Sequence, residues 1–222
     1  MWVSPETAAG FCVGWSEALI GYPFVTAKVL RQTGRKWWGH SPLRYYQGVK
    51  YPLVASLGFN SVVFPLKDWL HDERGMSYAA AGALAGLVVT PQMWFMDSFA
   101  IRRQVDRRAG GVRAFDLPSS TRGVVATAVR ESLALSAYFS AYHELKEPCG
   151  VWVAGGLAGL CNWTLTFPVD TVRSRVMADK MTFREAWTTK GLWRGYGIAA
   201  ARAVVVNAAS FSVYERALWT LK

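Results

Sequence analysis

The sequence predicts an all-α membrane protein built from three copies of a two-helix unit. The chain has 222 residues, of which 52% are hydrophobic and only 18% are charged, a balance more apolar than that of a typical soluble domain. It also contains 11 Trp and 9 Tyr, residues that concentrate at membrane–water interfaces. Finally, an apolar run with a proline recurs three times, at Pro23, Pro91 and Pro168, and recurrence at a fixed period is the signature of a repeat architecture.

The three repeats share further landmarks. Each apolar run carries two glycines four positions apart, a spacing that lets membrane helices approach closely. After each proline come a basic loop and another glycine, and about twenty residues later a polar side chain. The period of about 70–75 residues divides the chain into repeats 1–75, 76–149 and 150–222. The glycine pairs are Gly10 with Gly14, Gly82 with Gly86 and Gly155 with Gly159, the loop glycines are Gly48, Gly123 and Gly195, and the polar positions are Asp68, His143 and Glu215.

Each repeat is long enough for two membrane-spanning helices. A helix needs about 20 residues to cross a hydrocarbon core of roughly 30 Å, and we expect the odd-numbered helices to bend at their prolines. A short amphipathic helix near 182–190 should lie on the membrane surface beside the basic loops, and its counterparts in the first two repeats are shortened or absent. A soluble helical protein would leave several long apolar runs unexplained. The predicted spans are 7–33, 49–71, 76–105, 124–146, 150–178 and 196–219.

The net charge of +10 fits positive loops beside membrane helices. Nucleic-acid binding would require a basic face on a soluble core, whereas here the basic residues cluster in three polar loops between apolar runs. We therefore predict no nucleic-acid partner. The loops contain Arg31, Arg35, Lys36 and Arg44, then Arg102, Arg103, Arg107, Arg108 and Arg113, and finally Arg175, Lys180, Arg184, Lys190 and Arg194.

The sequence shows no constellation for covalent chemistry. Cys12, Cys149 and Cys161 lack the spacing of metal ligands and cannot all pair internally. No Ser/His/Asp arrangement and no phosphate-binding loop is present either. We therefore predict neither an enzyme nor a bound cofactor or metal.

The most specific motif is F-P-V-D-T-V-R-S-R at 167–175. It places Asp170 and Arg173 three residues apart at the end of an apolar run, where charges are costly unless they meet partners. Residues 191–195 (G-L-W-R-G) follow, and after another apolar run come 214–216 (Y-E-R). With these features the chain resembles the mitochondrial carrier family, whose repeats carry a P-x-[DE]-x-x-[KR] motif, an aromatic-basic-Gly step and an [FY]-[DE] motif.

The first two repeats match this family pattern less closely. Residues 23–28 have Val25 where the family has an acid, and residues 91–96 have Met93 and Met96 in place of both charges. Val25 and Met96 are two positions that the resemblance pairs with each other. Because both are apolar, no unpaired charge remains there.

The resemblance implies six helices of pseudo-threefold symmetry around a cavity, with a gate of ion pairs on the matrix side. The acid of each motif meets the base of a neighbouring repeat, so Asp170 should pair with Lys28. Gln32, one helical turn beyond Lys28, either braces this pair or is a solvated polar residue. Arg173 would face Met93 and lack a partner, so we expect its side chain to extend towards water or lipid headgroups.

A second gate is implied on the cytoplasmic side. Asp68 should face Lys146, and Glu215 should face His71. Each of these residues could instead be a surface charge beside the membrane. Two complementary pairs at fixed offsets favour the gate, and breakable gates at both ends are what alternating access requires.

The central substrate contacts of the family lie seven residues after the loop glycine. These positions are Ala55, Arg130 and Arg202, and Glu131 follows Arg130. Glu17 is a further charge inside a span. Intramembrane charges are functional by default, although an Arg–Glu pair could also simply hold helices together. Two bases and two acids suit a zwitterion, because arginine binds a carboxylate and glutamate an ammonium; in the family, Arg followed by an acid marks amino-acid carriers.

The resemblance also implies lipid sites and a location. Helix N-termini after Gly48, Gly123 and Gly195 would present backbone N–H groups to the phosphates of a membrane lipid, cardiolipin. Trp193 and Arg194 give the third site its closest match to the family. The protein would be a multi-pass monomer of the mitochondrial inner membrane.

The predicted function is therefore transport of a small-molecule solute, an amino acid or a related zwitterion, by alternating access. Two alternatives stay open. The protein could be a nucleotide carrier, or it could be a non-transporting carrier homologue that acts as a membrane scaffold. The degenerate first two repeats favour the scaffold, whereas the charges inside the spans favour a transporter.

Overall fold

Over the residues that it describes, the computed structural model has α-helices joined by turns, bends and irregular segments, and no strand. This confirms the predicted all-α class. The described backbone comprises residues 5–105, 122–203 and 205–206, and side chains are described in the same ranges except at 5–18, 56–58, 60–61, 122 and 151–152.

The helices follow the predicted apolar runs closely. The first, third and fourth helices begin and end within two residues of the predicted limits. Residues 122–179 form a fifth helix that is interrupted at Gly150, whose φ of 75° and ψ of 161° separate it into two halves. Residues 196–203 and 205–206 are also helical. The helices are α1 (Pro5–Gln32), α2 (Pro42–Tyr45), α3 (Lys50–Asp72), α4 (Tyr78–Val105), α5 (Arg122–Asp179) and α6 (Phe183–Thr188).

Pro23, Pro91 and Pro168 lie inside α1, α4 and α5, and bending at these positions stays a prediction. By length and composition, α4 is the one helix of the described part that could cross a membrane. Apolar side chains point outwards from it, with Leu87 50% and Val88 56% exposed. Such a patch of exposed apolar surface suits a lipid environment better than water.

Two apolar clusters join the long helices. Val29 of α1, Ile101 of α4 and Met177 of α5 pack together where the C-terminal halves of these helices meet. The second cluster, called here the apolar cluster, joins α3, α4 and the first half of α5. Its buried members are Val63, Ala85, Val89, Leu135 and Phe139.

The glycine pair of α4 allows it to touch the first half of α5. A Cβ atom added to Gly82 would lie 2.6 Å from the carbonyl oxygen of Leu135, and one added to Gly86 would lie 2.6 Å from that of Glu131. These contacts bring the two backbones together as the small-residue spacing predicts. In the third pair, Gly155 and Gly159 have no described atom within 4 Å of such a Cβ, and the surroundings of the first pair lie outside the described side chains.

Each loop glycine packs against a helix of a different predicted repeat. A Cβ added to Gly48 would lie 3.2 Å from the carbonyl oxygen of Ala100 in α4. The corresponding neighbours are the Cε of Met177 in α5 for Gly123, at 3.0 Å, and the carbonyl oxygen of Lys28 in α1 for Gly195, at 3.4 Å. The contacts thus run from the first segment to the second, from the second to the third, and from the third back to the first.

The first and third segments also share a hydrogen bond at matching positions. The hydroxyl of Thr26, three residues after Pro23, donates to the carbonyl oxygen of Tyr45 over 2.6 Å. The hydroxyl of Thr171, three residues after Pro168, donates to the carbonyl oxygen of Leu192, also over 2.6 Å. In both cases a buried threonine holds the loop that precedes the glycine.

Arg175 anchors α6 to the end of α5. The sequence placed this residue in a basic loop, but it is only 3% exposed and lies in the last turns of α5. Its guanidinium donates to the carbonyl oxygen of Gln32 at the end of α1 and to the carbonyl oxygens of Ala186, Thr189, Lys190 and Gly191. A planar group with five N–H donors suits such a set of carbonyls, so Arg175 ties α1, α5 and α6 together.

A Gly86→Ala substitution should destabilise the protein, because the new methyl group would overlap the backbone of Glu131. Overpacking of this kind costs about 1–3 kcal/mol. Thermal unfolding of the purified protein measures the loss. Gly156→Ala is the matched control, since Gly156 is exposed and no described atom lies within 4 Å of its added Cβ. Equal unfolding temperatures for the two variants would contradict the close helix contact.

Candidate functional site

Six ionisable side chains form a buried group where α1, α4 and α5 meet. Their exposed fractions range from 1% to 15%. Three bases face three acids, so the formal charges cancel, and each charge has at least one opposite charge in contact. Burial of ions is tolerated only with such pairing. This group, called here the charge cluster, consists of Lys28, Asp97, Arg130, Glu131, Asp170 and Arg173.

The structure brings Lys28 and Asp170 together. The Nζ of Lys28 lies 2.7 Å from Oδ2 of Asp170, so α1 and α5 are linked by a buried ion pair. The side-chain nitrogen of Gln32 donates to the same carboxylate oxygen over 2.9 Å and to the hydroxyl of Thr171 over 3.1 Å. Gln32 is 1% exposed, so of its two interpretations the geometry favours the brace over the solvated side chain.

The prediction that Arg173 lacks a partner is wrong. Its side chain is 9% exposed, and its Nη1 lies 2.9 Å from Oδ2 of Asp97 and 3.2 Å from Oε1 of Glu131. Its Nη2 lies 3.9 Å from Asp170. The expectation failed because it considered only the motif position, Met93. Asp97 follows one helical turn later on the same face, and an acid inside an apolar helix was the feature that could have indicated it.

Glu131 connects a predicted substrate contact to a predicted gate residue. Its Oε1 accepts from Arg130 over 2.7 Å and from Arg173 over 3.2 Å. The Arg130 guanidinium carbon lies 5.8 Å from the ring centre of Trp163, and the Nζ of Lys28 lies 4.9 Å from it. These are cation–π distances. Trp163 was missed from the sequence, where nothing distinguishes it from the other tryptophans of the spans.

The remaining predicted substrate contacts are placed differently. Arg202 packs across α1, since its Nε would lie 2.9 Å from a Cβ added to Gly21. Ala55 is 3% exposed, and its carbonyl oxygen accepts a hydrogen bond of 2.8 Å from the side chain of Gln92. The side chain of Glu17 lies outside the described residues.

The predicted pair of Asp68 and Lys146 is not formed in the part of the chain that the structure describes. Asp68 is exposed and contacts Lys67, its neighbour in the sequence, and Lys146 is exposed as well. The prediction is wrong for this conformation because the adjacent lysine already neutralises Asp68 while both predicted partners point into open surroundings.

His71 lies in an aromatic stack. Its ring is 3.8 Å from that of Tyr78, which in turn is 4.2 Å from that of His143. The Nδ1 of His71 is also 2.7 Å from the carbonyl oxygen of Met76. Its predicted partner Glu215 lies outside the described residues, so that pairing stays a prediction.

The predicted lipid positions occupy the loops around the helix starts. A cavity of about 270 Å³ adjoins Gly48, and its lining includes the basic side chains of Lys50 and Arg103. At the third position, Trp193 is 50% exposed and stacks on Phe167 with ring centres 5.9 Å apart. Arg194 is exposed and folds against Gly191, while Gly123 is buried against Met177 and Trp94.

Comparison with known proteins agrees with these features. A model of the mitochondrial carrier protein family matches residues 147–221. The chain is similar to the mitochondrial arginine transporter BAC2 of Arabidopsis thaliana, at 28% identity over 96% of this chain and 90% of that protein. It is also similar to the mitochondrial basic amino acids transporter of Rattus norvegicus, at 27% identity over 92% of this chain and 85% of the relative. The human transporter of the same name is 28% identical over 92% and 86%.

The family model and the relatives support membership of the mitochondrial carrier family. The names of these relatives place them in mitochondria. The match of the family model to the third repeat agrees with the motifs, which are most complete there.

Removing one partner of the Lys28–Asp170 pair should destabilise the protein strongly. Breaking a buried ion pair costs about 3–5 kcal/mol, because the remaining charge loses its partner. Lys28→Gln and Asp170→Asn should each lower the unfolding temperature, and the double variant should lose less than the sum of the two.

The exposed pair of Arg35 and Asp179 provides the control, since it has the same N–O distance of 2.7 Å but side chains that are 35% and 29% exposed. Such surface pairs contribute about 0–1 kcal/mol. If both cycles give the same small coupling, the buried pair does not hold α1 to α5.

Proposed function

We propose that this protein transports an amino acid or a related zwitterion across the mitochondrial inner membrane by alternating access. The observation that carries this proposal is the contact of Glu131 with both Arg130 and Arg173. Through Glu131, the predicted solute contact Arg130 is connected to Arg173 of the predicted matrix-side gate. The names of the arginine and basic amino acids transporters among the relatives support the same class of solute.

The charge cluster matches the two ends of a zwitterion. A guanidinium binds a carboxylate through two parallel hydrogen bonds, and a carboxylate binds an ammonium. In our proposal Arg130 and Arg202 bind the solute carboxylate and Glu131 binds the α-ammonium. A solute that carries both charges exchanges one set of ion pairs for another without leaving a net charge in the membrane.

We propose further that the protein is a multi-pass bundle of six spans in three repeats. The cyclic packing of Gly48, Gly123 and Gly195 supports this arrangement, because each glycine contacts the proline-containing helix of the following repeat. The matching hydrogen bonds of Thr26 and Thr171 support it as well.

The ion pairs of the predicted matrix-side gate are formed, whereas the described pair of the cytoplasmic-side gate is not, and this difference indicates on which side the cavity opens. At one end Lys28, Asp170 and Arg173 are buried and paired. At the other end Asp68 and Lys146 are exposed and apart. We propose that the described conformation is closed towards the matrix and open towards the cytoplasm, and that solute binding offsets the free energy of breaking the matrix-side pairs.

We also propose where the basic loops lie and where lipid binds. The basic loops face the matrix, and cardiolipin headgroups bind near the loop glycines. The cavity beside Gly48, with Lys50 and Arg103 in its lining, supports one such site. The carrier acts as a monomer.

The two alternatives are less well supported. A nucleotide carries several negative phosphate charges, whereas the charge cluster is balanced between acids and bases. A scaffold has no need for buried charges, which are costly to retain. The curated relatives named above are transporters of amino acids.

Glu131→Gln should abolish amino-acid uptake into liposomes. Removing one partner of a buried charged contact costs about 2–5 kcal/mol, which corresponds to at least a tenfold loss. Glu144→Gln is the matched control, since it makes the same change at an exposed position of the same helix. Labelled arginine, ornithine, lysine and ATP should be offered to wild type and both variants, after each has been shown to be folded.

The same assay separates the alternatives. Nucleotide uptake that rises in Glu131→Gln, with no amino-acid uptake in any form, would establish the nucleotide carrier instead. No uptake of any solute by folded wild-type protein would favour the scaffold.

A further inference from the structure

The second repeat lacks the acid that the carrier pattern places two residues after its proline. Met93 occupies that position and packs against the apolar cluster between α3, α4 and α5. A carboxylate there would be buried among apolar side chains, which is strongly unfavourable without a partner. The fold around Met93 therefore explains why this position is apolar.

Asp97 lies four residues after Met93, which is one helical turn further on the same face of α4. Its Oδ2 is 2.9 Å from Nη1 of Arg173, and its side chain is 15% exposed. Arg173 belongs to the third repeat, so this contact links α4 to α5 across two repeats. Asp97 thus binds Arg173, the partner that an acid at the position of Met93 would have had, from a position one helical turn later.

One nitrogen of the Arg173 guanidinium contacts two acids. Its Nη1 contacts Asp97 at 2.9 Å and Glu131 at 3.2 Å, while Asp170 lies further away at 3.9 Å. If Glu131 turns to a solute ammonium, Asp97 is the acid that remains in ion-pair contact with Arg173. Without Asp97, the nearest acid of Arg173 would be Glu131 itself.

We propose that Asp97 is the second repeat's acid in the matrix-side gate, displaced by one helical turn from the motif position. In this role it holds Arg173 in the gate and so leaves Glu131 available to the solute. The Asp97–Arg173 ion pair rests on the geometry alone, whereas the gate role and the release of Glu131 rest on the proposed transport function.

A double-mutant cycle of thermal stability tests the ion pair without any transport assay. Asp97→Asn and Arg173→Gln should each lower the unfolding temperature of the solute-free protein by at least about 5 °C, as expected for a broken buried pair in a chain of this size. The double variant should lose clearly less than the sum. Asp97→Glu, which keeps the charge, should recover much of the loss.

Asp72→Asn is the control for removal of one acidic charge, since Asp72 is exposed at the end of α3. It should leave the unfolding temperature unchanged. Strictly additive losses for Asp97→Asn and Arg173→Gln would overturn the assignment of Asp97 to the gate.

Uptake kinetics test the second part of the proposal. In Asp97→Asn, Arg173 should hold Glu131 more firmly, so the solute must compete with it. The arginine concentration that gives half-maximal uptake should rise by about tenfold, and Asp97→Glu should restore it. An unchanged half-maximal concentration would overturn the release of Glu131.

The two failures are distinguishable. If folded wild-type protein takes up no amino acid but the stability cycle shows coupling, the proposed function and the gate role are wrong, and only the Asp97–Arg173 ion pair stands. If uptake is normal and the stability cycle is additive, the transport function stands and the assignment of Asp97 is wrong.

Discussion

The guanidinium of Arg173 is the point on which the centre of this structure depends. It contacts Asp97 of α4, Glu131 of the first half of α5 and, at a longer distance, Asp170 of its own helix. Asp170 in turn binds Lys28 of α1. The buried charges thus form one connected network across three helices, and removing any base or acid would leave its partner less well compensated in an environment poor in water. The helices around this network must keep their mutual positions for the charges to stay paired.

The same network gives transport a physical basis. A gate made of apolar contacts alone would have no reason to respond to a charged solute. In our proposal Glu131 belongs to both the solute contacts and the gate, because it accepts from Arg130 and Arg173 with the same oxygen. A solute that takes one of these interactions changes the free energy of the other, which is the differential binding that a conformational change requires. Because the charges of the cluster balance, this exchange leaves no uncompensated charge inside the membrane, and its free-energy cost stays small.

The framework that positions the network relies on backbone contacts. Gly82 and Gly86 bring α4 against the first half of α5, next to the turn that carries Glu131. Arg175 binds carbonyl oxygens at the end of α1 and around α6, so the loop that follows α5 is tied to the same end of the bundle. Substitutions at these positions would displace the charges even though none of these residues belongs to the cluster.

The sequence by itself determined the helical class and the limits of the described long helices, because apolar runs carry that information locally. The pairing of Lys28 with Asp170 followed from the resemblance of the motif to the carrier pattern, and the structure bears it out. Tertiary structure decided which acid meets Arg173. That choice depends on how α4 is packed, since Met93 faces the apolar cluster and Asp97 faces the charges. Tertiary structure also decided that Asp68 and Lys146 stay apart, because a gate pair forms only when the conformation brings its helices together. Spacing along a chain specifies which residues share a helix face, whereas the partner of that face is set by packing between helices.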